Sequence, residues 1–126
     1  LNCISHDRPC HLNAQAGEIA RSFLYMSGCA NATRLAMLHM RGGTSYNIGN
    51  PEETTILDLY HKAVKVAGEL GISYRHSPQF DISRAGDPKR RVLDISRARE
   101  QLGYFPKVML EEGLRRTLQW IVKQKQ

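Results

Sequence analysis

Cysteine is sparse in this chain, with three residues in 126, an odd count. That excludes a disulfide framework and points to a reducing, cytoplasmic compartment. Aromatics are few, at 7%, with a single Trp. No apolar run approaches the roughly 18 residues that a membrane span requires, and mean hydropathy is −0.44, so no membrane partner is expected. The stretch from Leu1 to Asp7 lacks a basic segment followed by a long apolar one, so no secretory signal is visible in it. The sequon Asn31-Ala32-Thr33 is therefore read as unglycosylated. Repeats and low-complexity tracts are absent.

What is present is the composition of one soluble globular domain spanning 1–126, with 41% hydrophobic and 24% charged residues. The net charge of +6 suits an anionic partner. No basic motif interleaved with aromatics stands in the chain, so nucleic acid is not expected. Cys3, His6, Cys10 and His11 lie close together, but adjacent Cys10 and His11 do not suit a tetrahedral site and no second ligand pair follows. No metal is expected, and no G-x-S-x-G turn suggests a nucleophile.

The periodicity predicts a small α/β domain of about four helices and a few short strands. Residues 21–26 read as extended. A helix is predicted over 31–40, stopped by Gly42-Gly43, followed by a strand within 44–49 that ends at Gly49-Asn50-Pro51. Thr55 and Asp58 resemble a capping box opening a helix with Ile56, Leu59, Tyr60, Ala63, Val66, Ala67 and Leu70 on one face, ended by Gly71. Residues 72–76 alternate as a strand would, and 77–89 read as a loop. A short helix over 94–103 has Asp94 or Ser96 as N-cap and Gly103 as its stop. The last helix runs from Leu110 to about Lys123, with Leu110, Leu114, Leu118 and Ile121 as its stripe and Trp120 beside it. A strand as short as Tyr46–Gly49 cannot make a sheet alone and needs neighbours.

One set of motifs is more specific. Gly86-Asp87-Pro88-Lys89-Arg90-Arg91-Val92-Leu93-Asp94 is followed by Leu102-Gly103-Tyr104-Phe105-Pro106 and Leu110-Glu111-Glu112-Gly113-Leu114. Upstream stand Tyr46-Asn47-Ile48-Gly49-Asn50-Pro51 and Thr55-Ile56-Leu57. In this order they resemble the C-terminal, substrate-side part of the extended short-chain dehydrogenase/reductase family. Within it, the likeness is to the NAD-dependent nucleotide-sugar epimerases, dehydratases and decarboxylases, those acting on UDP-glucuronate above all. The resemblance covers about Gly17 to Ile121. It implies that Arg21 and Tyr25, in the family's R-[SA]-F-x-Y segment, and Arg90, four residues before Asp94, bind the substrate. Physics supports the arginines: a guanidinium stays charged and its fork of donors matches a diphosphate. Arg91, Lys89, Arg97 and Arg99 read as solvated charges.

The departures are informative. The family's glycine-rich cofactor turn is absent; Gly68-x-x-Gly71 is only a helix end. The catalytic Tyr-x-x-x-Lys pair is absent too, because the residues four after Tyr25, Tyr46, Tyr60, Tyr74 and Tyr104 are Cys29, Asn50, Val64, Pro78 and Val108. The resemblance therefore implies a truncated chain with no catalytic residues and no cofactor of its own, NAD belonging to the complete enzyme. Gly28 stands where the family has an Asp that would cap a helix, and Met109 where a Ser or Thr commonly caps the last one. The segment 46–49 and the helix before it would, in the family, pack on the dinucleotide-binding sheet. Two readings follow: a nucleotide-sugar-binding part that is inactive alone, or a small self-associating or partner-binding module with no retained ligand. The expected partners are accordingly a nucleotide-sugar, and either a dinucleotide-binding domain or a second copy of the chain.

Overall fold

A computed structural model of the chain describes residues 1–82 and 88–124. Gly86 and Asp87, and with them part of the expected loop, lie outside the described residues.

The strongest local signals produce the two central helices. In α3 (Ile56–Glu69), the Thr55 hydroxyl accepts the Asp58 amide at 3.0 Å, so an otherwise orphaned donor is satisfied. Tyr60, Ala63, Val66 and Ala67 form its buried stripe. The helix stops where Gly71 adopts φ +73°, a conformation that favours glycine. In α5 (Leu110–Lys123), Met109 stands at the N-cap and supplies no side-chain bond, while Glu111 and Glu112 complement the dipole of the first turn. Leu114 and Leu118 are buried. A short helix, α1 (Asn2–Ser5), packs against both. Together they enclose one core of Ile4, Cys10, Tyr60, Ala63, Val66, Ala67, Leu114 and Leu118.

A second core forms where α2 (Met26–His39) meets α4 (Ser96–Leu102): Ala32, Ile95, Ala98, Leu102 and Tyr104. Gly103, at φ +64°, ends α4 as its position predicts. Asp94 accepts the amide and hydroxyl of Ser96 but stands one residue before the N-cap, which is Ile95.

The strands are short and form two sheets. A parallel pair joins β1 (His11–Asn13) to β4 (Gln79–Asp81), with His11 opposite Gln79 and Asn13 opposite Asp81. The other sheet is ordered β3 (Glu53–Thr55), β2 (Ala20–Ser22), β5 (Arg90–Arg91), with β2 antiparallel to β3 and parallel to β5.

Several expected elements move. The helix expected over 31–40 begins five residues earlier, so Gly28 lies inside its first turn and is not a cap; Tyr25 holds that position. A Cβ at Gly28 would come within 2.6 Å of the Leu24 side chain. The extended segment at 21–26 shortens to β2. Residues 72–76 are not a strand; pairing goes instead to 79–81, inside the expected loop, and to 90–91, just after it, because those backbones find partners in β1 and β2. Trp120 is largely exposed.

The segment 44–49 is the informative case. Its odd and even positions alternate between exposed and half-buried up to Ile48, the pattern of a strand covered on one side, yet it pairs with no strand among the described residues. Side chains hold it instead. Arg97 Nη1 donates to Ser45 O at 3.2 Å, Asn47 Nδ2 to Asp94 O at 3.1 Å, and the fully buried Tyr104 hydroxyl to Gly49 O at 3.1 Å. Beside it, α2 leaves Met26, Met37 and Leu38 exposed, at 75%, 80% and 62%. A helix that buries only Ala32 completely is a helix with an uncovered face.

Candidate functional site

The sheet β3-β2-β5 carries two of the three residues expected to bind substrate. Directly opposed residues of neighbouring strands share a face, and successive residues alternate. Arg21 lies opposite Thr54 and Arg91; Ala20 lies opposite Thr55 and Arg90. The register therefore sets Arg21, Thr54 and Arg91 on one face, and Ser22, Glu53 and Arg90 on the other. The two expected arginines occupy adjoining strands but opposite faces.

Their surroundings also differ. Arg21 is half-buried, and its Nη1 donates to Ala20 O at 2.8 Å, which folds the guanidinium back along β2. Arg90 is mostly exposed and is held by Glu53: its Nε lies 3.0 Å from both carboxylate oxygens and its Nη2 is 3.0 Å from Oε2. The hydrogen bonds that Arg90 donates to Glu53, together with the carboxylate charge, keep the guanidinium above its usual range. The charge of Arg90 is thus already matched within the sheet. Lys89 is matched likewise by Glu18 at 2.7 Å. Arg91 makes no ion pair or side-chain hydrogen bond among the described residues and shares the face of Arg21. Nothing in the run Lys89-Arg90-Arg91 separates Arg91 from its basic neighbours, because only the pairing register says which of them shares the face of Arg21.

Tyr25 stands apart from both. It is the N-cap residue of α2, and its ring packs on Gly113 of α5, where an added Cβ would come within 3.3 Å of Tyr25 Cδ2. The Arg116 guanidinium lies 5.7 Å from the ring centroid. Tyr25 is part of the wall of an apolar cavity of about 330 Å³ bounded by Ile4, Leu12, Phe23, Leu59 and Leu114. The geometry offers an arginine face on the sheet and a separate apolar cavity, and Tyr25 belongs to the second.

Among the described residues, no group of three or more His, Cys, Asp or Glu could hold a metal ion. No described helix is long and apolar enough to cross a membrane.

No family model matches the chain. Curated relatives do. UDP-glucuronic acid decarboxylase 1 of Danio rerio is 35% identical over 109 residues, covering 86% of this chain and 25% of that protein. dTDP-glucose 4,6-dehydratase of Streptomyces niveus is 34% identical over 104 residues, covering 82% of this chain and 30% of its own length. The chain therefore spans a quarter to a third of these relatives. Among solved structures, a UDP-glucose 4-epimerase with UDP-glucose from Thermotoga maritima superposes with a TM-score of 0.89 at 29% identity, over 98% of this chain and 38% of that one. A UDP-glucuronic acid 4-epimerase from Bacillus cereus in complex with NAD gives 0.81 at 26% identity, over 98% and 38%.

Proposed function

We propose, on the premise that the chain is homologous to a segment of the NAD-dependent nucleotide-sugar epimerases, dehydratases and decarboxylases of the extended short-chain dehydrogenase/reductase family, that it is their substrate-side part and binds a nucleotide-diphosphate sugar. One observation carries this reading: nearly the whole chain adopts the fold of a segment of an epimerase solved with UDP-glucose. The diphosphate meets Arg21, with Arg91 beside it on the same face of the sheet, and the bidentate geometry of guanidinium suits its oxygens. Arg90 contributes only where the anion draws it from Glu53. Tyr25 acts on the ligand through its place at the junction of α2 and α5.

The redox step belongs to NAD in the complete enzyme, where it supplies hydride transfer. The sequence present here contains neither the glycine-rich turn nor the Tyr-x-x-x-Lys pair, and the chain alone is inactive. The dinucleotide-binding part packs on the uncovered face of α2 and pairs with the segment 44–49. The protein works in the cytoplasm.

Titration calorimetry with UDP-glucose and UDP-glucuronate tests the reading. Binding by the wild-type chain that falls at least tenfold in Arg21→Ala and Arg91→Ala supports it. Absence of heat with both ligands removes the ligand, and NAD reduction by the pure chain removes the inactivity. The second reading, a self-associating module, is favoured by the exposed methionines of α2. A monomeric mass by light scattering across the concentration range removes it.

A further inference from the structure

The three thiols of the chain are free, and two of them belong to or pack against one core cluster. Cys10 is 8% exposed and belongs to the core between α1, α3 and α5; Cys3, on α1, is half-buried and packs against the same cluster. The chain between them doubles back. The Arg8 amide donates to Cys3 O at 2.9 Å, which sets residue 8 against residue 3 and leaves only Pro9 before Cys10. Asp7, in the left-handed region at φ 48°, makes the reversal and is fixed from outside by the Arg75 amide at 3.1 Å and the His76 ring at 2.9 Å. The third thiol, Cys29, is exposed on α2, outside this cluster. Beside Cys10 lies the buried Tyr74 hydroxyl.

We propose that Cys3 and Cys10 form a redox-sensitive dithiol pair that oxidises to an intramolecular disulfide, with a low-molecular-weight disulfide of the glutathione type as oxidant. Cys3 is the more accessible, so its thiolate attacks one sulfur of the oxidant, forms a mixed disulfide and releases one thiolate. The Cys10 thiolate then attacks the Cys3 sulfur and releases the second. The two protons lost from Cys3 and Cys10 end on the two released thiols, so one disulfide is formed for one reduced. Burial, together with the neighbouring Cys3, raises the Cys10 thiol above its ordinary range, which suits it to the second, resolving step and not to the first attack. The bond would tie α1 to the start of β1. Leu1, Ile4, Cys10 and Leu12 line the apolar cavity together, so the same bond would fix one wall of it.

Peptide mapping tests the proposal. The full chain is incubated with oxidised glutathione, quenched by alkylation and cleaved before Asp7 and after Arg21. Each cysteine then lies on its own peptide, because Arg8 is followed by Pro9 and resists trypsin. The expected product is peptide 1–6 joined to peptide 7–21 in a protein of monomeric mass. The link should be lost on reduction, absent from Cys3→Ser and retained in Cys29→Ser. Cys3 is only half-buried, so Cys3→Ser keeps the test available if Cys10→Ser fails to fold. Complete modification of Cys29 while Cys3 and Cys10 stay free or carry separate glutathiones overturns the proposal. A link found only between molecules overturns it as well.

Discussion

Arg90 and Glu53 reach each other across an intervening strand. They sit on the outer strands β5 and β3, with β2 between them, and their side chains meet at 3.0 Å over the face that also carries Ser22. The pair fastens the sheet and also occupies a guanidinium that an anion would need.

Removing the acid should release the base. In Glu53→Gln the Arg90 guanidinium loses its charged partner, and affinity for a UDP-sugar should rise roughly two- to fivefold, the equivalent of an exposed ion pair. Calorimetry reads this directly. An unchanged affinity would show that Arg90 takes no part in anion binding.

The cap of α3 is a separate matter. Thr55→Ala removes the acceptor for the Asp58 amide and should cost about 1 kcal/mol of unfolding free energy. Thr55→Ser should restore most of it. Urea denaturation followed by circular dichroism compares the three proteins, and equal midpoints would contradict the role given to the cap.

Leu118 is completely buried in the core between α1, α3 and α5. Leu118→Ala should cost roughly 2–5 kcal/mol, a large part of the roughly 5–15 kcal/mol that a domain of this size has. The variant should melt far below the wild type in a thermal scan. Ile121→Ala, on a partly exposed position of the same helix, should cost much less.

Acid should loosen the fold through three surface carboxylates. Glu69 is lowered by the hydrogen bond from Arg115, Glu18 by Lys89, and Asp94 by the Ser96 hydroxyl and amide. A carboxyl depressed in the folded state stabilises it fully above the unfolded value of about 4. That contribution is lost as pH falls through the folded value. All three are solvent-exposed, so each effect is small and salt-sensitive. Melting temperatures taken from pH 6 to 3 should fall less steeply in Glu69→Gln than in the wild type, and parallel curves would rule out this pair as a contributor.

Long periodic segments were legible in the sequence. The stripes of α3 and α5, the Thr55 cap and the glycine stops at 71 and 103 stand where spacing put them. Short strands were not, since β2, β4 and β5 are two or three residues long and exist only because partners lie 30 to 70 positions away. The start of α2 was missed for another reason. Met26-Ser27-Gly28-Cys29-Ala30 has no apolar periodicity, because most of its face is uncovered. At the candidate site, the family resemblance singled out Arg21 and Arg90. Register alone sets Arg91 on the face of Arg21 and Glu53 on that of Arg90, and register is invisible before the strands are paired.

The two cores interleave along the chain. One takes residues from Ile4 to Leu118, and the other, nested within that span, from Ala32 to Tyr104. No single break between residues 32 and 104 leaves either one whole. Neither core can close before distant parts of the chain have met, so folding must bear a large loop-closure entropy early and should be slow for so small a protein. For the same reason limited proteolysis between residues 32 and 104 should yield no stable half: a single nick there divides both cores.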